Sequence, residues 1–223
     1  MGIHDGHRQR MKDRFTEVGL EGFNDHNALE LLLFYAVGRK DTNELAHKLL
    51  RHFGSLPAVL EADYEELCAV EGIGQNTAVL LKLVPQMSRR YAEQVAIPKK
   101  EIRSPEAAAR YFTAKFMYET EELSYAMLLD NADRIIACKR ISNGIVNATE
   151  LAIRMLIEIA MKNKAASVII AHNHPHGMPL PSREDEYCTE LVRKALELVE
   201  IKLNDHIIVG ESSFYSLKMN GLM

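Results

Sequence analysis

The chain has 223 residues, 47% hydrophobic and 26% charged, the composition of an ordinary globular protein with enough length for one full core or two smaller ones. A net charge of −4 excludes a global positive field that would gather nucleic acid, and the longest apolar run, LLLFYAV at 31–37, is too short to span a bilayer. Three scattered cysteines, Cys68, Cys138 and Cys188, argue against both a disulfide framework and a thiolate zinc site.

The polar start, MGIHDGHRQRMKDRF, lacks the apolar stretch of a signal peptide, so the expectation is a cytoplasmic protein without membrane attachment. Its basic residues from His7 to Arg14 predict a solvated helix face. Asn27 to Val37 is apolar at helical spacing and should stop at Gly38. Asp41 and Thr42 predict the cap of a helix that runs to Phe53 and ends before Gly54; Ser55 and Asp63 predict two further caps. After VEGIGQN, the run TAVLLKLVPQMSRRYAEQ predicts a helix kinked at Pro85. No strand-like alternation of any length occurs before residue 95.

The pattern changes after IPKKEIRSP (97–105), read as a linker between a helical domain, 1–97, and an α/β domain, 98–223. Ser104 followed by Pro105 predicts a helix start, and the helix should reach about Phe116. SYAMLLD (124–130) and RIIACKRIS (134–142) predict a hairpin, and LAIRMLIEIAMKN (151–163) a helix. SVIIA (167–171) predicts a short buried strand, Arg183 to Val199 an amphipathic helix, and HIIVG (206–210) another strand.

Val70-Glu71-Gly72-Ile73-Gly74 lies between two predicted helices, where glycine permits positive φ and close backbone approach. Gly72, Ile73 and Gly74, with the amides that open the next helix, could cradle a DNA phosphate without reading sequence. A plain helix-to-helix turn explains the same residues, and only Lys82, Arg89 and Arg90 supply nearby positive charge.

The stretch AHNHPHGMPLPSRED (171–185) carries the chemistry. His172 and His174 are two apart, so a strand that stays extended past Ala171 sends both imidazoles from one face. Asp185 follows Ser182 at the S-x-x-D spacing of a helix start, and the first turn would carry its carboxylate back toward the histidines. Two imidazoles and a carboxylate are the nitrogen and oxygen ligands of a catalytic zinc that keeps a fourth position for water. A capping box and a turn rich in Pro and Gly account for the Ser182–Asp185 half on its own. The joint pattern at the end of an apolar strand favours a metal.

HNHP, PSRED and the later Asp205-His206 resemble the JAMM motif of the MPN-fold metallopeptidases. GHRQRMKDRF, LELLLFYAVGRKDTNELAHKLL, VEGIG and DHIIVG extend the resemblance over nearly the whole chain to the bacterial RadC proteins, the UPF0758 family. It implies a helical helix-hairpin-helix domain joined to an αβα, cytidine-deaminase-like MPN domain, with zinc on His172, His174 and Asp185. By the same resemblance the Ser182 hydroxyl lies near the metal and helps hold a tetrahedral intermediate.

JAMM peptidases also need an upstream glutamate as general base. RadC-like chains often carry an acidic residue in the strand before the glycine matching Gly144, where this chain reads CKRISNG with Lys139 and Arg140. Glu122 and Glu150 are the candidates left, and spacing selects neither. Ile153-Arg154-Met155 stands where P-R-E is common, and His176 where Ser is common. Asp205-His206 reads either as support for a ligand histidine or as the polar start of a strand. The expectation is a zinc-dependent hydrolase of peptide or isopeptide bonds acting on a peptide or protein substrate. The alternatives are a repair-linked module that binds DNA through its helical domain, or a metal-binding scaffold without turnover.

Overall fold

The computed structural model describes residues 3–38, 41–97, 101–143 and 150–223. Contacts divide the chain between Ser88 and Arg89 into two units, and the division falls inside a helix.

The first unit is helical: α1 (Ile3–Val18), α2 (Asp25–Leu33), α3 (Thr42–Phe53), α4 (Leu56–Glu61), α5 (Tyr64–Ala69) and the first part of α6 (Gln75–Ala96). Short polar side chains start these helices by taking up amides that lack an intrahelical partner. Asn24 accepts from Asn27 N, Asp41 from Asn43 N and Glu44 N, and Ser55 from Ala58 N. Asp63 and Glu66 form a reciprocal capping box.

Helix α2 ends at Leu33 rather than near Gly38. Residues 34–37 leave it by tight turns, with Ala36 N and Val37 N both donating to Leu33 O. Val37 kept the apolar spacing because it is buried in the core with Leu33, Leu49, Leu67 and Leu81, not because it is helical. Pro85 lies within α6 and does not end it.

The second unit contains the last turns of α6, then α7 (Pro105–Lys115), β1 (Leu123–Leu129), β2 (Ile135–Asn143), α8 (Glu150–Lys162), β3 (Ser167–Asn173), α9 (Arg183–Glu197), β4 (Lys202–Val209) and β5 (Phe214–Ser216). The sheet order is β2-β1-β3-β4-β5, with β3 and β4 parallel and the other pairs antiparallel. Alternation along the strands feeds two cores. Met127, Leu129, Ile169 and Ile207 pack with Phe112 of α7, while Ala126, Leu128 and Ile170 pack with Leu156 of α8 and Val192 and Leu196 of α9. Helices thus cover both faces of the sheet, which makes the unit an αβα domain. Every residue of β3 is buried, so it reads as a continuous apolar run rather than an alternating one. No described helix is long and apolar enough to cross a membrane.

Candidate metal centre

Strand β3 stays extended through Asn173, and His174 N donates to Val209 O at 2.7 Å, carrying the ladder one residue further. His172 and His174 therefore leave the same face, the one α9 covers. The loop after them lies against the end of β4 because Gly210 has no side chain. A Cβ there would stand 2.7 Å from Gly177 O and 2.8 Å from Pro179 Cδ. In this position the loop delivers Met178 O to His174 Nδ1 at 2.9 Å. A carbonyl only accepts, so His174 carries its proton on Nδ1 and leaves a lone pair on Nε2.

The α9 N-terminus supplies the carboxylate. Asp185 N donates to Ser182 Oγ at 3.1 Å, while Ser182 N and Oγ donate to Asp185 Oδ2 at 2.8 and 2.6 Å. Oδ1 is left facing His172 Nε2 at 3.4 Å, and His172 Nε2 lies 3.1 Å from His174 Nε2. The three ligand atoms lie within 4.8 Å of one another, the one such group among the described residues. Two imidazole nitrogens that close together share at most one proton, and the carboxylate adds none. A divalent cation that accepts nitrogen and oxygen ligands satisfies all three atoms, so the residues fit a metal.

His172 and Asp185 are almost entirely buried, and His174 is partly open. Burial is the main cause that pushes the His172 pKa down to about 4; the His174 ring pushes the same way and Asp185 opposes. Burial also holds His206 well below its ordinary value, reinforced by His172 and His174. Both rings are thus neutral near pH 7, the form in which imidazole binds metal.

Both readings of Asp205-His206 have a part in the structure. His206 Nε2 lies 2.9 Å from His172 Nδ1, and His206 Nδ1 2.6 Å from Thr189 Oγ1. Asp205 instead joins β4 to the C-terminal turns, accepting from Ser216 Oγ at 2.7 Å, His206 N at 2.8 Å and Lys218 N at 3.1 Å. Thr189, one turn after Asp185, carried no signal in the sequence. Asn173 was also missed: Leu123 N donates to its Oδ1 at 2.7 Å, and its Nδ2 donates to Glu121 O at 3.0 Å. Its place between the two histidines of HNH was the only hint.

That stitch brackets Glu122. Ser124 pairs with His172 across β1 and β3, so Glu122, two residues earlier, has the parity of His174 at the same end of the sheet. Glu150 opens α8, but its side chain and the loop at Gly144 lie outside the described residues. Lys139 and Arg140 are exposed on edge strand β2, opposite Ala126 and Tyr125, with β1 between them and β3. His176 is exposed.

In the first unit, Gly72 has φ 99° and a Cβ there would stand 3.1 Å from Leu45 Cδ1, so the turn requires glycine. Ile73 is buried in the core, so only its backbone is available to a ligand. Gly72, Gly74, Gln75 and Thr77 line a groove with Ala36 and Val37. Lys82 is turned away to cap Glu61 O and Ala62 O. Basic residues come instead from α1, where Arg8 donates to Val37 O at 3.1 Å and Lys12 lies over the Tyr35 ring.

Known families match both regions. A RadC-like JAB domain profile matches residues 102–222, and a helix-hairpin-helix motif matches residues 35–82. The UPF0758 protein of Nitrosococcus oceani is 33% identical over 215 residues, covering 96% of each chain. That of Haemophilus influenzae is 32% identical over 212 residues, covering 95% of this chain and 96% of its own. With the αβα domain, the helical hairpin and near full-length similarity in agreement, this chain belongs to the RadC-like, UPF0758 family.

Proposed function

We propose that the second unit is a zinc-dependent hydrolase of peptide or isopeptide bonds, with His172, His174 and Asp185 as the zinc ligands. The observation that carries this reading is the convergence of His172 Nε2, His174 Nε2 and Asp185 Oδ1 where β3 ends and α9 begins. Bound zinc supplies a Lewis acid and lowers the pKa of a water to about 7. The protein's own part is to hold the ligands and to move protons. Met178 O orients His174, and Ser182 holds Asp185 Oδ2 so that Oδ1 is left for the metal.

Amide hydrolysis removes a proton from the attacking water and delivers one to the leaving nitrogen. A single carboxylate at the site performs both transfers, typically worth about 10²–10⁴ in rate. We assign this role to Glu122, on the parity argument from the β1–β3 register. The Ser182 hydroxyl would turn to the oxyanion that develops on the substrate and donate to it, while the Ser182 amide keeps its hold on Asp185 Oδ2.

The test is zinc content together with hydrolysis of peptide and isopeptide substrates. Glu122→Gln should lose at least 10²-fold in rate and retain zinc, with Glu150→Gln near the parent. Ser182→Ala should lose on the order of 10²-fold. Full rate in Glu122→Gln sinks the assignment of the base, whatever Glu150→Gln does. A parent that holds zinc and cleaves neither substrate class favours a metal-binding scaffold.

A second role is supported for the first unit: non-specific DNA contact. The groove formed by Gly72, Gly74, Gln75 and Thr77 with the 36–37 turn carries it, flanked by Arg8 and Lys12 of α1. Amides at the start of α6 suit phosphate.

A further inference from the structure

Thr189 on α9 and His206 on β4 are both buried and lie behind His172, on the side away from His174 and Asp185 Oδ1. Three contacts connect them in series. Thr189 Oγ1 lies 2.6 Å from Asp185 O, His206 Nδ1 lies 2.6 Å from Thr189 Oγ1, and His172 Nδ1 lies 2.9 Å from His206 Nε2.

The chemistry of the first contact orders the rest. A carbonyl oxygen has no proton, so the Thr189 hydroxyl must donate to Asp185 O. Its single proton is then spent, and Oγ1 can only accept from His206, whose Nδ1 must carry a hydrogen. Among the described residues no carboxylate touches the His206 ring, and the Asp205 oxygens are taken by Ser216 and by the amides of His206 and Lys218. A buried ring with no counter-charge stays neutral, which leaves its Nε2 without a proton. His206 Nε2 therefore accepts from His172 Nδ1–H. His172 Nε2 is left with a lone pair pointing at His174 Nε2 and Asp185 Oδ1.

We infer that Thr189 and His206 are positioning residues that lock His172 in the Nδ1–H tautomer, the one that can ligate through Nε2. The relay starts from the main chain of Asp185 itself, so one ligand residue sets the protonation of another. Without it, nothing holds the proton on Nδ1; on Nε2, which lies 3.1 Å from His174 Nε2 and 3.4 Å from Asp185 Oδ1, it would stand where a metal must first displace it. The inference rests on the reading of His172, His174 and Asp185 as metal ligands.

The experiment uses the metal-free full-length chain and two readouts. Long-range proton–nitrogen correlation spectra of the histidine rings report the tautomers, and competition against a chelator of known strength reports zinc affinity. The parent should show His172 and His206 both protonated at Nδ1. Thr189→Val keeps the shape and removes the hydroxyl; it should lose the pure Nδ1–H signature and weaken zinc binding about 10- to 100-fold. Thr189→Ser should restore both. A merely structural loss would lower stability without changing the tautomers.

A Val variant with the parent's tautomers and affinity overturns the inference. So does a parent spectrum with His172 protonated at Nε2, a result that needs no variant to fold. A parent that takes up no zinc overturns the metal reading, and the inference with it. A parent that binds zinc no more tightly than Thr189→Val overturns the inference alone.

Discussion

His172 has no exposed surface, and an imidazolium there would lose its hydration with, among the described residues, only the Asp185 carboxylate to offset it. His206 lacks even that partner. In the unfolded chain both rings take up a proton near pH ~6.5, whereas folded His172 declines one until about 4 and His206 is also held low. Between those limits the unfolded state binds more protons, so folding stability falls as pH drops and recovers as it rises. The thermal midpoint of the second unit in the metal-free protein should therefore be lower at pH 5 than at pH 7, and His206→Gln should flatten the difference. An unchanged or higher midpoint at pH 5 contradicts the burial of neutral histidines.

At the scale of elements, the two glycines of the α5–α6 turn do different jobs. Gly72 needs its positive φ and sits against Leu45, so replacing it tests only whether the first unit folds. Gly74 has ordinary φ and open space where a Cβ would go. Gly74→Val therefore tests the groove itself, because it adds bulk beside the α6 amides without straining the core. We expect it to weaken binding of labelled duplex DNA several-fold while zinc content stays at the parent level. Parent binding should weaken steeply between 50 and 200 mM salt if phosphates are the ligand. No binding at low salt would leave the hairpin a purely structural turn.

On the scale of the whole molecule, each unit has its own core, and the proposed ligands all belong to the second. A ligand stabilises only what it binds, by about 2.7 kcal/mol at a free concentration 100 times its Kd. Zinc should raise the thermal transition of the second unit by on the order of 10 °C and leave that of the first in place. His174→Ala should abolish the shift. Calorimetry with and without zinc decides this, and a parent profile that zinc does not move contradicts the assignment.

The His172, His174 and Asp185 cluster was legible in the sequence because its convergence depends on local geometry. Period two along an extended strand put His172 and His174 on one face, and a helix cap brought Asp185 back toward them, both within fifteen residues. Caps at Asp41, Ser55, Asp63 and Ser104 were readable for the same reason, since a cap satisfies amides of its own first turn. What surrounds this cluster is set by pairings between segments far apart in the chain. The parallel register of β3 with β4 brings His206 to His172, the packing of α9 on that face adds Thr189, and the antiparallel register of β1 with β3 brings Glu122 to the end occupied by His174. In the first unit, only folding sets the basic face of α1 beside the 35–37 turn. Strand β5, three residues long, was too short for alternation to register, and the turn after α2 was masked by burial that mimics helical spacing. Local spacing chose the donor atoms; long-range packing chose their protonation and their neighbours.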